Sequence, residues 1–269
     1  MKKLTYLLLI GFSIFSCTKK EAKKKEVLPN EMVEEEIAIP TTKKEITDPK
    51  ETEIWEPEPK VVSFTKNNTP SDAIVLFDGS NLDLWITAKD STDASWTLQS
   101  DDSMTVKPGA GDIQTKQNFG SIQLHLEWSA PNLVRGKGQE RGNSGIFFQN
   151  RYEVQILDSY QNRTYANGQA TAIYKQHIPL VNATKATDQW QTYDIIFHAP
   201  VFDPEGKKVK SGSFTVLHNG VLVQDNVEIL GTTEYIGFPK NEAHEKGPIK
   251  LQDHGNPVQY RNIWVRELD

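Results

Sequence analysis

The stretch Asn143–Asp158, NSGIFFQNRYEVQILD, sets two carboxylates and several amides among Ile, Phe, Val and Tyr. In Tyr152-Glu153-Val154-Gln155-Ile156 polar and apolar residues alternate strictly. A strand sends successive side chains to opposite faces, so Tyr152, Val154 and Ile156 go one way and Glu153 and Gln155 the other. On an ordinary antiparallel sheet the polar face is simply solvated. Here Arg141, Asn143, Ser144, Glu153, Gln155 and Asp158 crowd into one short stretch. That inventory suits a polar binding wall with one or two groups able to carry a proton.

Other candidates lie elsewhere in the chain. Glu127 shares the polar side of a strand with Gln123 and His125. Lys175 and His177 fall in an irregular insertion, as lid residues or as loop decoration. Near the C-terminus come Gln252-Asp253-His254-Gly255 and then Arg261. An imidazole at His254 can accept and return a proton near neutral pH, or serve as a structural ring beside Gly255. Arg261 can bind a ligand oxygen or pair with a surface acid.

Several chemistries lack their motif. There is no HExxH or zinc-finger spacing, no GxSxG elbow, no P-loop and no dinucleotide fingerprint. Carboxylates, His, amides and Arg remain. No cofactor is required by the sequence. The carboxylates allow a divalent cation, and no residue pattern fixes its ligands, so the metal question stays unknown here. A formal charge of −6 and a pI near 5.6 provide no basic stripe for nucleic acid.

The elements that must position these residues read as strands. Candidates are 74–77, 96–99, 103–106, 120–128, 144–149, 152–157, 190–198, 213–218, 221–228, 248–253 and 260–265, most of them short, alternating and bounded by Gly, Pro, Asn or Asp. Asn219-Gly220 predicts a type I′ hairpin turn. No sustained helical period occurs between residues 71 and 269. Residues 161–178 read as a long irregular insertion, the kind that forms binding loops or lids. Strands with one apolar face each predict an all-β, two-sheet antiparallel sandwich or jelly roll.

The chain before this domain has a different composition. Lys2 and Lys3 precede a short apolar run, 4–15, of signal-peptide rather than membrane-spanning length. Ile14-Phe15-Ser16-Cys17 resembles a bacterial lipobox, and Cys17 is the only cysteine of the chain. The expectation is a lipid on Cys17, a membrane partner, and a site in the bacterial cell envelope on its periplasmic or outer face. Residues 18–71, rich in Lys, Glu and Pro, read as a solvated tether. The globular domain is then 72–269.

Ile74-Val75-Leu76-Phe77-Asp78-Gly79-Ser80-Asn81-Leu82-Asp83-Leu84-Trp85 resembles the opening LFDGxxLxxW of the 3-keto-disaccharide hydrolase domain family. The likeness continues through Leu124-His125-Leu126-Glu127-Trp128, Gly142-Asn143-Ser144-Gly145-Ile146 and Tyr152–Asp158. It closes with Ile249–Gly255 and Arg261-Asn262-Ile263. The resemblance implies a concanavalin-like jelly roll and a carbohydrate substrate already oxidised to a ketone at sugar carbon 3. That ketone acidifies the C2 hydrogen. A base removes it, the enolate expels the C1 substituent, and water adds back. Such a site needs a base, a donor for the enolate oxygen and an acid for the leaving group. His254 and Glu153 are expected to supply the base and the acid, in either order, with Glu127 and Asp158 holding or tuning them. Arg141, Asn143, Ser144, Gln155, Lys175, Gln252 and Arg261 are expected to bind substrate.

Two other readings fit the same residues. Glu153-x-Gln155-x-x-Asp158 resembles the E-x-D-x-x-E pattern of retaining β-glucanases, with Gln and Asp replacing the last two acids. A tethered, non-catalytic carbohydrate-binding module also fits a sandwich with polar and aromatic surface groups.

Overall fold

The computed structural model describes residues 45–65 and 67–268. The expected signal peptide, Cys17 and the first part of the tether lie outside the described residues. The chain divides into two units, Met1–Glu58 and Pro59–Asp269. The described part of the first is exposed, with one 3-10 turn at Pro49–Thr52 whose Lys50 N–H is capped by the Asp48 side chain.

The second unit is built of strands. They are β1 (Ile74–Phe77), β2 (Trp85–Thr87), β3 (Thr97–Leu98), β4 (Met104–Thr105), β5 (Ile113–Thr115), β6 (Ile122–Ser129), β7 (Ser144–Phe148) and β8 (Tyr152–Ile156). There follow β9 (Gln191–His198), β10 (Val201–Phe202), β11 (Lys208–Lys210), β12 (Ser213–His218), β13 (Val221–Glu228), β14 (Lys250–Leu251) and β15 (Gln259–Glu267). Among the described residues the larger sheet runs β13-β12-β9-β6-β15-β4-β3, with β1 also on β15; the smaller runs β2-β5-β14-β7-β8. All pairings are antiparallel. The expected sandwich is the observed architecture.

Alternation decides which side chains meet between the sheets. Leu124, Leu126 and Trp128 of β6 and Tyr193, Ile195 and Phe197 of β9 are buried in one core with Ile146, Phe148, Val154 and Ile156 of β7 and β8. Phe148 joins the sheets directly, its ring centroid 5.0 Å from those of Phe197 and Phe214. Each such side chain contributes about 1.5–3 kcal/mol by leaving water. The outward faces of the two sheets therefore lie on opposite sides of the sandwich.

Three departures from the sequence reading have local causes. The strands β2, β5, β10 and β11 have only two or three residues each, too short for alternation to show. In β15 a bulge between Arg261 and Trp264, with Asn262 at φ 48°, shifts the inward parity from Tyr260 to Ile263 and Val265. Residues 59–71, expected as tether, belong to the compact unit. There Phe64 bridges Pro70, Ser71 N–H donates to the Ser63 carbonyl, and Thr69 is buried. The Asn219-Gly220 turn has φ 54° and 78°, the two positive angles of a type I′ hairpin.

Candidate active site

Glu153 and Gln155 point away from the core, yet only 4% and 1% of their surfaces are exposed. The cause is the 161–178 insertion, which uses the free edge of β8. Gln155 N–H donates to the Ala172 carbonyl (2.9 Å), Thr171 N–H to the Gln155 carbonyl (2.9 Å) and Tyr174 N–H to the Glu153 carbonyl (3.1 Å). The edge is thus paired rather than left open. Thr233, from the loop after β13, accepts from the Glu153 N–H at 2.9 Å. Between these covers lies a cavity of about 530 Å³. Asn143, Glu153, Gln155, Lys175, Gln252 and His254, all expected at the site, line it. Gln139, Glu140, Phe147, Tyr165, Tyr174, Thr233 and Tyr235 line it too. Sequence reasoning missed these seven, and the flagged insertion was the signal that could have found the first two tyrosines.

The Glu153 carboxyl rests against Gly145 on the neighbouring strand, where there is no side chain to displace it. Burial pushes its pKa up to about 8; Lys250 opposes that rise and Asp112 adds to it. Lys250 is itself held by Asp112 at 3.1 Å and lies over the Phe147 ring at 4.1 Å.

The neighbouring amides bear on the same carboxyl. Gln139 Nε2 is committed to the Gly168 carbonyl (2.8 Å) and Asn143 Nδ2 to the Gln139 carbonyl (2.7 Å). Their side-chain oxygens face Gln155, which donates to Gln139 Oε1 at 3.1 Å. The Gln155 oxygen is then left 3.0 Å from Glu153 Oε1. With the amide rotated, its nitrogen instead donates to Glu153 Oε1 at 3.0 Å and to the Ser144 carbonyl at 3.2 Å, while its oxygen turns onto the Gln139 oxygen. In the first orientation a proton on Glu153 bridges the two facing oxygens; in the second the amide donates to the carboxyl directly.

Above this floor Lys175 takes the left-handed conformation, φ 59°, and donates to the Tyr235 carbonyl with its ammonium 4.5 Å from the Tyr235 ring centre. The Tyr165 and Tyr174 hydroxyls are 2.6 Å apart, and burial raises both above the usual tyrosine range. His254 stands exposed at the rim. Its neighbour Asp253 is fixed by the backbone N–H groups of Gly109 (2.7 Å), Gly111 (3.0 Å) and Gly255 (2.9 Å). Gln252 Oε1 is buried in the wall without a partner.

The remaining expected residues are placed elsewhere. Asp158 accepts from Arg141 Nε at 2.7 Å and from Thr187 Oγ1 at 2.8 Å, forming a buried clamp beside the cavity rather than in it. Ser144 is buried too, donating to the Gln252 carbonyl and accepting from Tyr260 Oη, both at 2.6 Å. Glu127 and Arg261 form an ion pair at 2.7 Å on the outward face of the larger sheet, across the core from Glu153. A strand pattern shows that two residues share a face, not which sheet that face belongs to. The expected tuning of Glu153 by Glu127 therefore has no contact to act through. Among the described residues no three His, Cys, Asp or Glu side chains converge as a metal-ligand set.

The family model described as a 3-keto-alpha-glucoside-1,2-lyase-like domain matches residues 72–266, which include every residue lining this cavity. The chain belongs to that family. A protein from Parabacteroides distasonis described as a "putative glycosyl hydrolase" is 48% identical, with a TM-score of 0.79 over 82% of this chain and 97% of that one. Two further structures of the same description and organism are 18% and 22% identical, with TM-scores of 0.54 and 0.51. They cover 74% and 73% of this chain and 94% and 99% of their own, and at that identity they share the fold. No functionally curated protein matches. Family and relative together support a glycoside-acting enzyme.

Proposed function

We propose that this protein cleaves glycosides whose sugar carries a ketone at C3. One observation carries the reading: a buried carboxyl, its pKa pushed up to about 8, faces a sugar-sized cavity with an exposed imidazole at its rim. Proton donor and proton acceptor are thereby separated between two environments.

In the proposed sequence His254 takes the C2 hydrogen as a proton. The C–H electron pair becomes the C2–C3 enolate, with charge on the C3 oxygen. The Lys175–tyrosine cluster supplies positive charge and hydroxyl donors to that oxygen. Collapse of the enolate restores the ketone, forms the C1–C2 double bond and breaks the C1–O bond, while Glu153 gives its proton to the departing oxygen. Water then adds across C1 and C2, hydroxyl at C1 and hydrogen at C2. The balance is glycoside plus water to 3-keto sugar plus alcohol. Asn143 and Gln252 are placed to hold sugar hydroxyls, and Gln155 to hold Glu153.

A retaining glucanase needs two carboxyls about 5–5.5 Å apart at the sugar. Asp158 is bonded to Arg141 and Thr187 and does not line the cavity, which weighs against the Glu153–Asp158 pair of that pattern; the other carboxyl on the cavity is the exposed Glu140. The deciding experiment incubates the protein with matched glycosides, with and without the C3 ketone and with and without chelator. Cleavage confined to the ketone series is expected, and the chelator arm tests for a divalent cation. Cleavage of the unoxidised sugar alone overturns the reading, and binding without cleavage of either makes the protein a carbohydrate-binding module. We propose further that a lipid on Cys17 holds the enzyme at the cell envelope. Cys17→Ser should release it from membranes, and continued membrane association would refute the anchor.

A further inference from the structure

A second cavity, of about 540 Å³, lies on the outward face of the larger sheet and takes no part in the chemistry above. It sits over β6, β9 and β15, with the 59–71 turn as one wall through Val62, Phe64 and Pro70. Its volume is within the range of about 300–1,000 Å³ common for small-molecule sites. From these features we infer a binding site for a neutral oligosaccharide, independent of the reading of the Glu153 cavity.

Charge comes first. His125 Nδ1 is 2.6 Å from Asp194, Arg261 Nε is 2.7 Å from Glu127, and Arg266 is 2.6 Å from Asp72. Each described cation on the wall is thus paired, and none is left over to select an anionic ligand. The polar groups are also held in place. In the tautomer that satisfies both contacts, His125 donates from Nδ1 to Asp194 and accepts at Nε2 from Asn262 Nδ2 (3.3 Å). Asn262 also donates to Glu127 at 3.1 Å from its left-handed bulge position. A polar side chain held in a strained bulge is a frequent mark of a functional surface.

The exposed part of the wall points to what would fill the space. Phe64 keeps 66% of its surface exposed at the cavity wall. A pyranose offers an apolar C–H face for that ring and hydroxyls for the polar side chains beside it. Trp264, stacked on His125 at 5.0 Å, has a buried Nε1–H with no acceptor, so its resonance reports on the wall.

The test titrates the intact protein with maltotetraose and with cellotetraose, neither oxidised. The Trp264 indole N–H resonance, identified with Trp264→Phe, is followed by NMR. A saturable shift of that resonance is expected with at least one of the two. Phe64→Ser and His125→Ala should each weaken binding about tenfold, 1.4 kcal/mol. Turnover at the Glu153 cavity should stay within about twofold. Phe64 is on an exposed turn, so its variant keeps the test decisive if His125→Ala folds poorly. No saturable shift, a shift unaffected by Phe64→Ser, or competition by dextran sulfate would each overturn the inference. Failure of the ketone assay with a positive titration would leave this site standing alone.

Discussion

Gly145 and Glu153 occupy one spot on neighbouring strands: a Cβ at position 145 would stand 2.4 Å from Glu153 Oε1. The backbone there is not left-handed, so Gly145→Ala is opposed chiefly by the carboxyl, with the Phe147 ring next at 3.1 Å. The methyl must push Glu153 out of place. Because misplacement by 1 Å costs about 100-fold, kcat should fall about that much in steady-state assays while circular dichroism shows an intact sheet. Wild-type turnover in Gly145→Ala would separate Glu153 from the chemistry.

Burial sets the Glu153 proton near pH 8, well above the ordinary 4.5. As proton donor it should make kcat/KM fall as pH rises through about 8. Glu153→Gln should remove turnover at every pH.

The same shift affects folding. Between about 4.5 and 8 the folded chain holds a proton that the unfolded chain has lost, so stability falls as pH rises through that window. Glu153→Gln, which cannot ionise, should therefore melt higher than wild type above pH 8, with little difference near pH 4. Equal melting temperatures above pH 8 would show that the carboxyl ionises freely.

Arg141 and Asp158 make a different kind of prediction. Asp158 is 2% exposed, and Arg141→Met leaves its charge buried and unpaired. Breaking such a pair costs about 3–5 kcal/mol, and the double change Arg141→Met with Asp158→Asn should recover much of it. Urea unfolding measures both, and a single-variant loss below 1 kcal/mol would deny the clamp.

His254 is exposed and makes no side-chain hydrogen bond among the described residues. Its removal should move stability by no more than about 0.5 kcal/mol. Turnover should drop by about 10²–10⁴. Near-normal turnover in His254→Ala would remove it from the proton relay.

The strands and their inward residues were legible because one buried face imposes a period of two: Leu124, Leu126 and Trp128 are all in the core. Glu153, Gln155 and Asn143 were legible as chemistry because polar groups crowd one short stretch, and His254 because an imidazole can carry a proton near neutral pH. Partition between the two outward faces was not legible. Glu127 and Arg261 carry the same residue types as the cavity wall, and only the stacking of sheets puts them behind the core. Tyr165, Tyr174 and Tyr235 were hidden for another reason. Loops have no period, and their contacts depend on where the chain returns. Gly145 left a faint trace, since an isolated glycine in a strand marks a close approach of another group.

The Gln155 amide has a consequence for recovery of the acid. With its nitrogen on Gln139 and Asn143, its oxygen lies 3.0 Å from Glu153 Oε1 and opposes an ionised carboxyl; rotated, the same amide donates to that oxygen. One side chain can thus face either charge state of Glu153. In the proposed cycle a half-turn of that amide would accompany the loss and the return of the proton.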